Sequence, residues 1–176
     1  MDPNIQFYAL AGGEGSAWWF LGTLSYVKAT SEMTRGAFGL VEQLIPVGFA
    51  SPYHVHRAED EAFYVIAGQV SFVCRDRWLK AGPGAFVFGP RDIPHGFRVD
   101  GTDPAKLLVL VTPGGFERFV VEMSEPARTA ALPPPSQPDM QKLLRVGAKY
   151  NIEILGPLPE EHTTPGILVH KIRTHT

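Results

Sequence analysis

His54 and His56 stand two residues apart, and Glu61 follows five residues after the second histidine. On an extended chain successive side chains point to opposite faces, so the two imidazoles look the same way. A third imidazole, His95, opens a strand pattern after the turn that carries Pro90 and Pro94. Three neutral imidazoles and one carboxylate suit a single divalent first-row metal per chain: Fe, Ni, Co, Mn, Cu or Zn. Such an ion keeps a net positive charge, lowers the pKa of a bound hydroxyl and stabilises the resulting anion. Glu61, within reach of that oxygen, is the candidate general base.

Accident explains this spacing poorly. Six histidines in 176 residues give roughly 0.2 His-x-His pairs by chance, and each further fixed Gly or Glu lowers that about tenfold. Glu59 and Asp60 compete with Glu61 for the carboxylate role. Glu59 has the right parity, but Gly68 sets the register and the strand proper begins at 61, so Glu59 and Asp60 are read as solvated turn residues.

The elements around these residues must hold them on facing walls. Turn signals recur at Gly68-Gln69, Arg75-Asp76, Gly82-Pro83-Gly84, Gly89-Pro90-Arg91-Asp92 and 100–104, with short apolar runs between them. Many short strands separated by such turns predict an all-β sandwich or barrel of the jelly-roll kind. His54, His56 and Glu61 are read as one hairpin. Glu61, Phe63 and Val65 share an inward face, while Ala62, Tyr64 and Ile66 are expected to pack outward against the other sheet. Phe97 shares a face with His95, so Phe63 and Phe97 are candidates for a substrate-binding aromatic wall, or are simply core.

Upstream, residues 5–34 read as strands with glycine punctuation, and two adjacent tryptophans, Trp18 and Trp19, must face opposite sides. Residues 36–46 predict a strand buried on both faces over part of its length. Downstream, Phe116, Phe119, Val120 and Met123 recur at helical spacing. A proline-rich connection over 126–139 then leads to a second helix that starts at Pro138-Asp139, carries Leu143, Leu144 and Val146, and stops near Gly147. His162, His170 and His175 in the tail lack ligand spacing, and Gly166 to His170 reads as an optional edge strand.

The two clusters match both motifs of the cupin superfamily. Gly48, His54, His56, Glu61 and Gly68 meet the first; Gly84, Pro90 and His95 meet the second. Asp92 stands where the family usually has glycine and Val99 where it often has asparagine; Asp tolerates the left-handed backbone that such a glycine supplies. The resemblance implies a double-stranded β-helix (jelly-roll) barrel with short C-terminal helices. It divides one domain, 1–176, into N-terminal strands (1–34), a motif-bearing barrel (35–113) and C-terminal helices and tail (114–176). The runs at 113–119 and 149–157 resemble small bacterial quercetin 2,3-dioxygenase-like cupins. That likeness implies a metal-dependent dioxygenase with a small aromatic or enolisable substrate, dioxygen as co-substrate, and Glu61 accepting a substrate hydroxyl's proton. It also implies a homodimer built through the N-terminal strands, although an edge strand packed on its own barrel accounts for them equally.

An oxygen-independent metal-assisted cyclase, isomerase or lyase for polyketide-like or sugar substrates uses the same ligand set, as does a non-enzymatic small-molecule-binding protein. Other classes are excluded more firmly. Sixteen Lys and Arg against eighteen Asp and Glu give a formal charge of −2 without a basic run, so nucleic acid is not an expected partner. The longest apolar run, 107–111, is too short to cross a bilayer, no positively charged leader opens the chain, and a cytoplasmic protein is expected. The single cysteine, Cys74, reads as a buried inert thiol.

Overall fold

The computed structural model describes residues 7–161. In chain order the strands are β1 (Ser16–Phe20), β2 (Thr23–Ala29), β3 (Gly39–Ile45), β4 (Tyr53–His56), β5 (Asp60–Ala67) and β6 (Gln69–Cys74). They continue with β7 (Arg77–Ala81), β8 (Phe86–Gly89), β9 (His95–Asp100) and β10 (Ala105–Thr112). Helix α1 (Phe116–Met123), β11 (Glu125–Pro126), α2 (Met140–Lys149) and β12 (Ile152–Gly156) complete the chain. The strands form a seven-stranded sheet, β11-β1-β2-β3-β10-β5-β8, and a five-stranded sheet, β12-β4-β9-β6-β7. All pairings are antiparallel, as the jelly-roll reading expects.

The inner faces of the two sheets supply one core. Val41, Phe63, Val65, Leu107 and Val109 come from the larger sheet, and Val70, Phe72, Phe97 and Val99 from the smaller. Their alternation along each strand is the period-2 pattern of a half-buried sheet. Phe63 sits 5.0 Å from Phe72 and 5.7 Å from Phe97, ring centre to ring centre.

Two expectations about the motif region need correction. His54 and His56 do not form a hairpin with Glu61: β4 lies in the five-stranded sheet and β5 in the seven-stranded one, and the chain crosses between sheets over residues 57–59. Ala62, Tyr64 and Ile66 do not meet the other sheet either. They point away from the sandwich, Tyr64 is 45% exposed and Ile66 40%, and beside them on the edge strand β8 Phe86 and Phe88 are 66% and 54% exposed.

Asp92 adopts a left-handed backbone, φ 63°, so the turn before β9 keeps the shape that glycine usually gives it. Gly68 is needed for a different reason: a Cβ there would lie 2.6 Å from the Ala105 Cα, so the exit from β5 packs directly against β10. Both helices form where the apolar period changes. Asp139 caps α2 by accepting from the Lys142 N–H, but Gly147 lies inside that helix, with the Ile152 carbonyl of β12 close above it, and Leu144 is exposed. Strand β1 is covered by its own chain, through β11 on its outer edge and the Trp19 Nε1 bond to the Ala131 carbonyl. Cys74 is partly buried, and burial raises its thiol. No helix among the described residues is long and apolar enough to cross a membrane. His162, His170, His175 and the optional edge strand at 166–170 lie outside the described residues.

Candidate metal centre

β4 and β9 are neighbours, and His54 and His95 are register partners across their ladder. His56, two residues on, shares the inward face with His54. One sheet therefore supplies three imidazoles, and β5 supplies Glu61 from the facing sheet. The four side chains offer ligand atoms that lie within 4.8 Å of one another. Glu61 Oε2 is 2.9 Å from His95 Nε2, 3.5 Å from His56 Nε2 and 3.7 Å from His54 Nε2.

The other ring nitrogens decide what faces inward. His54 Nδ1 is 2.8 Å from the Pro52 carbonyl, His95 Nδ1 2.8 Å from the Ile93 carbonyl, and His56 Nδ1 3.1 Å from the Glu59 carboxylate. A carbonyl can only accept, so Nδ1 carries the hydrogen in His54 and His95, and the lone pair of the neutral ring belongs to Nε2. His56 Nε2 is buried and has no hydrogen-bond partner. An orphaned buried polar atom costs roughly 1–3 kcal/mol, and a cation at the shared point satisfies it. The set of three imidazoles and a carboxylate fits a single divalent metal.

Protonation follows the same contacts. Burial alone would raise the Glu61 carboxyl, yet the surrounding His56, His54 and His95 imidazoles hold it well below the usual carboxylate range. Burial is the main influence on His54 and lowers it, against the bond to Glu61. For His95 burial also acts downward, but the hydrogen bond and charge of Glu61 outweigh it and the ring is raised. The apo centre thus favours one proton held between His95 and an ionised Glu61.

A half-open cavity of about 60 Å³ lies beside His54, His56 and Glu61. Phe49, Phe63, Phe97, Phe116 and Phe119 make its wall largely aromatic, and Glu61 is its only carboxylate among the described residues. Phe63 and Phe97 therefore line the cavity and belong to the core at the same time. Phe49, Phe116 and Phe119 are aromatic wall residues that the sequence candidates did not include, and the last two come from α1. Their helical spacing was visible, but not that α1 closes one end of the barrel, with Phe116 5.6 Å from the His56 ring.

Glu59 is the larger correction. It is not a solvated turn residue: it is 6% exposed and bonded to His56. The signal was its position three residues after His56. Asp60 is also not free, because it opens β5 and takes both the backbone N–H and the guanidinium of Arg91.

Residues 41–111 match the cupin domain family. Over 119 residues the chain is 29% identical to the quercetin 2,3-dioxygenase of Bacillus subtilis (strain 168), a match covering 68% of this chain and 35% of that enzyme. The match thus spans about a third of that relative's length. Among solved structures, the polyketide cyclase RemF from Streptomyces resistomycificus superposes with a TM-score of 0.54 at 21% identity, over 73% of this chain and 88% of its own. A predicted oxalate decarboxylase from Thermotoga maritima gives 0.55 at 16% identity, over 60% and 99%. These two likenesses speak for the fold.

Proposed function

Starting from a chain whose residues 41–111 match the cupin domain family, we propose that this protein is a metal-dependent dioxygenase acting on a small aromatic or enolisable substrate. The observation that carries the reading is the convergence of three imidazoles and one carboxylate on one point, with His54, His56 and Glu61 lining an aromatic cavity. Similarity to a quercetin 2,3-dioxygenase supports the oxygen chemistry.

His54, His56, His95 and Glu61 would hold the ion. When bound, it supplies Lewis acidity toward a substrate hydroxyl and redox capacity toward dioxygen. The chain's own residues do the rest. Glu61 is the one carboxylate on the cavity wall and so the group there able to accept the hydroxyl's proton. Phe63 and Phe97 flank the reacting end of the substrate, and with Phe116 and Phe119 they exclude water, which strengthens every polar contact inside. The free space of about 60 Å³ is smaller than the roughly 150 Å³ of a cavity that takes a benzene ring. The cavity therefore takes a compact enol or the reacting end of a larger one, and a polycyclic flavonol would extend out through its mouth.

The test is oxygen uptake. Protein loaded in turn with Fe, Ni, Co, Mn, Cu and Zn is offered β-diketones, other small enols and flavonols. Oxygen consumption with a redox-capable metal, fastest on the compact enols and absent with zinc, is the expected result. Turnover that continues unchanged under argon replaces the reading with an oxygen-independent cyclase, isomerase or lyase. Tight retention of a ligand without any product replaces it with a binding protein.

A further inference from the structure

Two of the three imidazoles are held at Nδ1 by backbone carbonyls two residues upstream, those of Pro52 and Ile93. His56 alone is held by a carboxylate. Glu59 Oε2 lies 3.1 Å from its Nδ1, and both side chains are buried. The second carboxylate oxygen is packed against from elsewhere in the chain. A Cβ on Gly115 would sit 2.6 Å from Glu59 Oε1, so the start of α1 closes directly over the carboxylate.

We propose that Glu59 is a positioning residue, wedged between His56 and the start of α1, that fixes the His56 ring in one tautomer and aims its Nε2 at the point shared with Glu61. The claim about metal strength rests on the metal reading above; the claim about the ring does not. A hydrogen bond to a charged acceptor is roughly twice as strong as one to a carbonyl, so Nδ1 keeps its hydrogen and Nε2 keeps its lone pair. Drawing on that hydrogen also makes Nε2 a better donor to a cation. Ring orientation is set at the same time. His56 stacks on His95 with the planes 8° apart, and Phe116 stands at a 56° tilt beside it, so the bond at Nδ1 fixes the remaining rotation.

The test uses the full chain, with Co²⁺ as the probe and nitrogen NMR of the histidine rings as a metal-free readout. Wild type is expected to show His56 as a single Nδ1–H tautomer before any metal is added. Glu59→Ala should give a mixture of tautomers, bind Co²⁺ roughly 10- to 100-fold more weakly and shift the visible Co²⁺ spectrum. Glu59→Gln keeps an acceptor but loses the charge, so it should retain the tautomer and lose less affinity. Gly115→Ala leaves every ligand in place and displaces Glu59 alone; it should move the spectrum in the same direction. Glu59→Gln and Gly115→Ala carry the test if the alanine variant fails to fold. Unchanged affinity, spectrum and tautomer in these variants overturns the role of Glu59. Wild type that takes up no Co²⁺ overturns the metal reading, while the tautomer measurement on the metal-free chain still decides the hold of Glu59 on His56.

Discussion

His95 and Glu61 are 2.9 Å apart, and that contact governs how the centre responds to acid. Glu61 raises His95, so in the apo protein the ring keeps its proton to a higher pH than the ordinary histidine value of about 6.5. A metal must displace that proton. Apparent metal affinity is therefore expected to be flat above the raised His95 value and to fall by about tenfold per pH unit below it, one proton being released per ion bound. Titrations with Co²⁺ at several pH values check this, and an affinity that rose on acidification would contradict it. At this scale the sequence was informative where parity was enough. His54 and His56 share a face because they are two apart, and Glu61 shares the inward face of β5 with Phe63 and Val65 by the same parity. Glu59 was misread because nothing near it in the chain buries it. The residue that closes over it, Gly115, stands at the start of a helix far downstream.

Among the elements, α2 shows what local chemistry settles. Asp139 was legible as a start, and its side chain accepts the Lys142 N–H in the structure. Asp139→Ala is expected to lower stability by about 1 kcal/mol, read as a fall in the thermal unfolding midpoint with metal affinity unchanged. Gly147 was read as a stop by composition alone. Its actual task is to let the β12 backbone approach, since a Cβ would lie 2.9 Å from the Ile152 carbonyl. Strand β12 itself gave little signal, because its partner is β4, with Ile152 opposite His56, and such a register belongs to tertiary structure rather than to local pattern. The β4–β5 connection misled for a related reason. Short links between strands usually make hairpins, but here residues 57–59 carry the chain from one sheet to the other. Arg91 secures the far end of that crossing by its contacts to Asp60.

For the molecule as a whole, the outer face of the larger sheet is unlike an ordinary solvated surface. Tyr64 lies opposite Phe86 and Ala62 opposite Phe88, with Leu108 and Leu110 on the next strand beside Tyr64 and Ala62. The exposed parts of Tyr64, Ile66, Phe86 and Phe88 present on the order of 400 Å² of apolar surface, a contiguous patch of the size that often serves binding. That is about half of the roughly 800 Å² that each partner of a stable complex covers, and the flanking leucines extend it. A two-fold dimer uses the same patch on both copies, so this one apolar face is enough to build it. We propose a second copy of this chain as its partner, with β5 and β8 rather than the N-terminal strands at the interface. Light scattering is expected to give twice the 19.3 kDa chain mass, falling to the single-chain mass in Phe86→Lys/Phe88→Lys. A wild type that is monomeric at all concentrations removes the proposal.

One leaf of the sandwich brings the imidazoles and the other brings the carboxylate. An ion gripped between them would act as a rivet through the seam. Loading the metal is then expected to slow the parting of the two leaves, read as slower amide hydrogen exchange in β4 and β5 than in the metal-free chain.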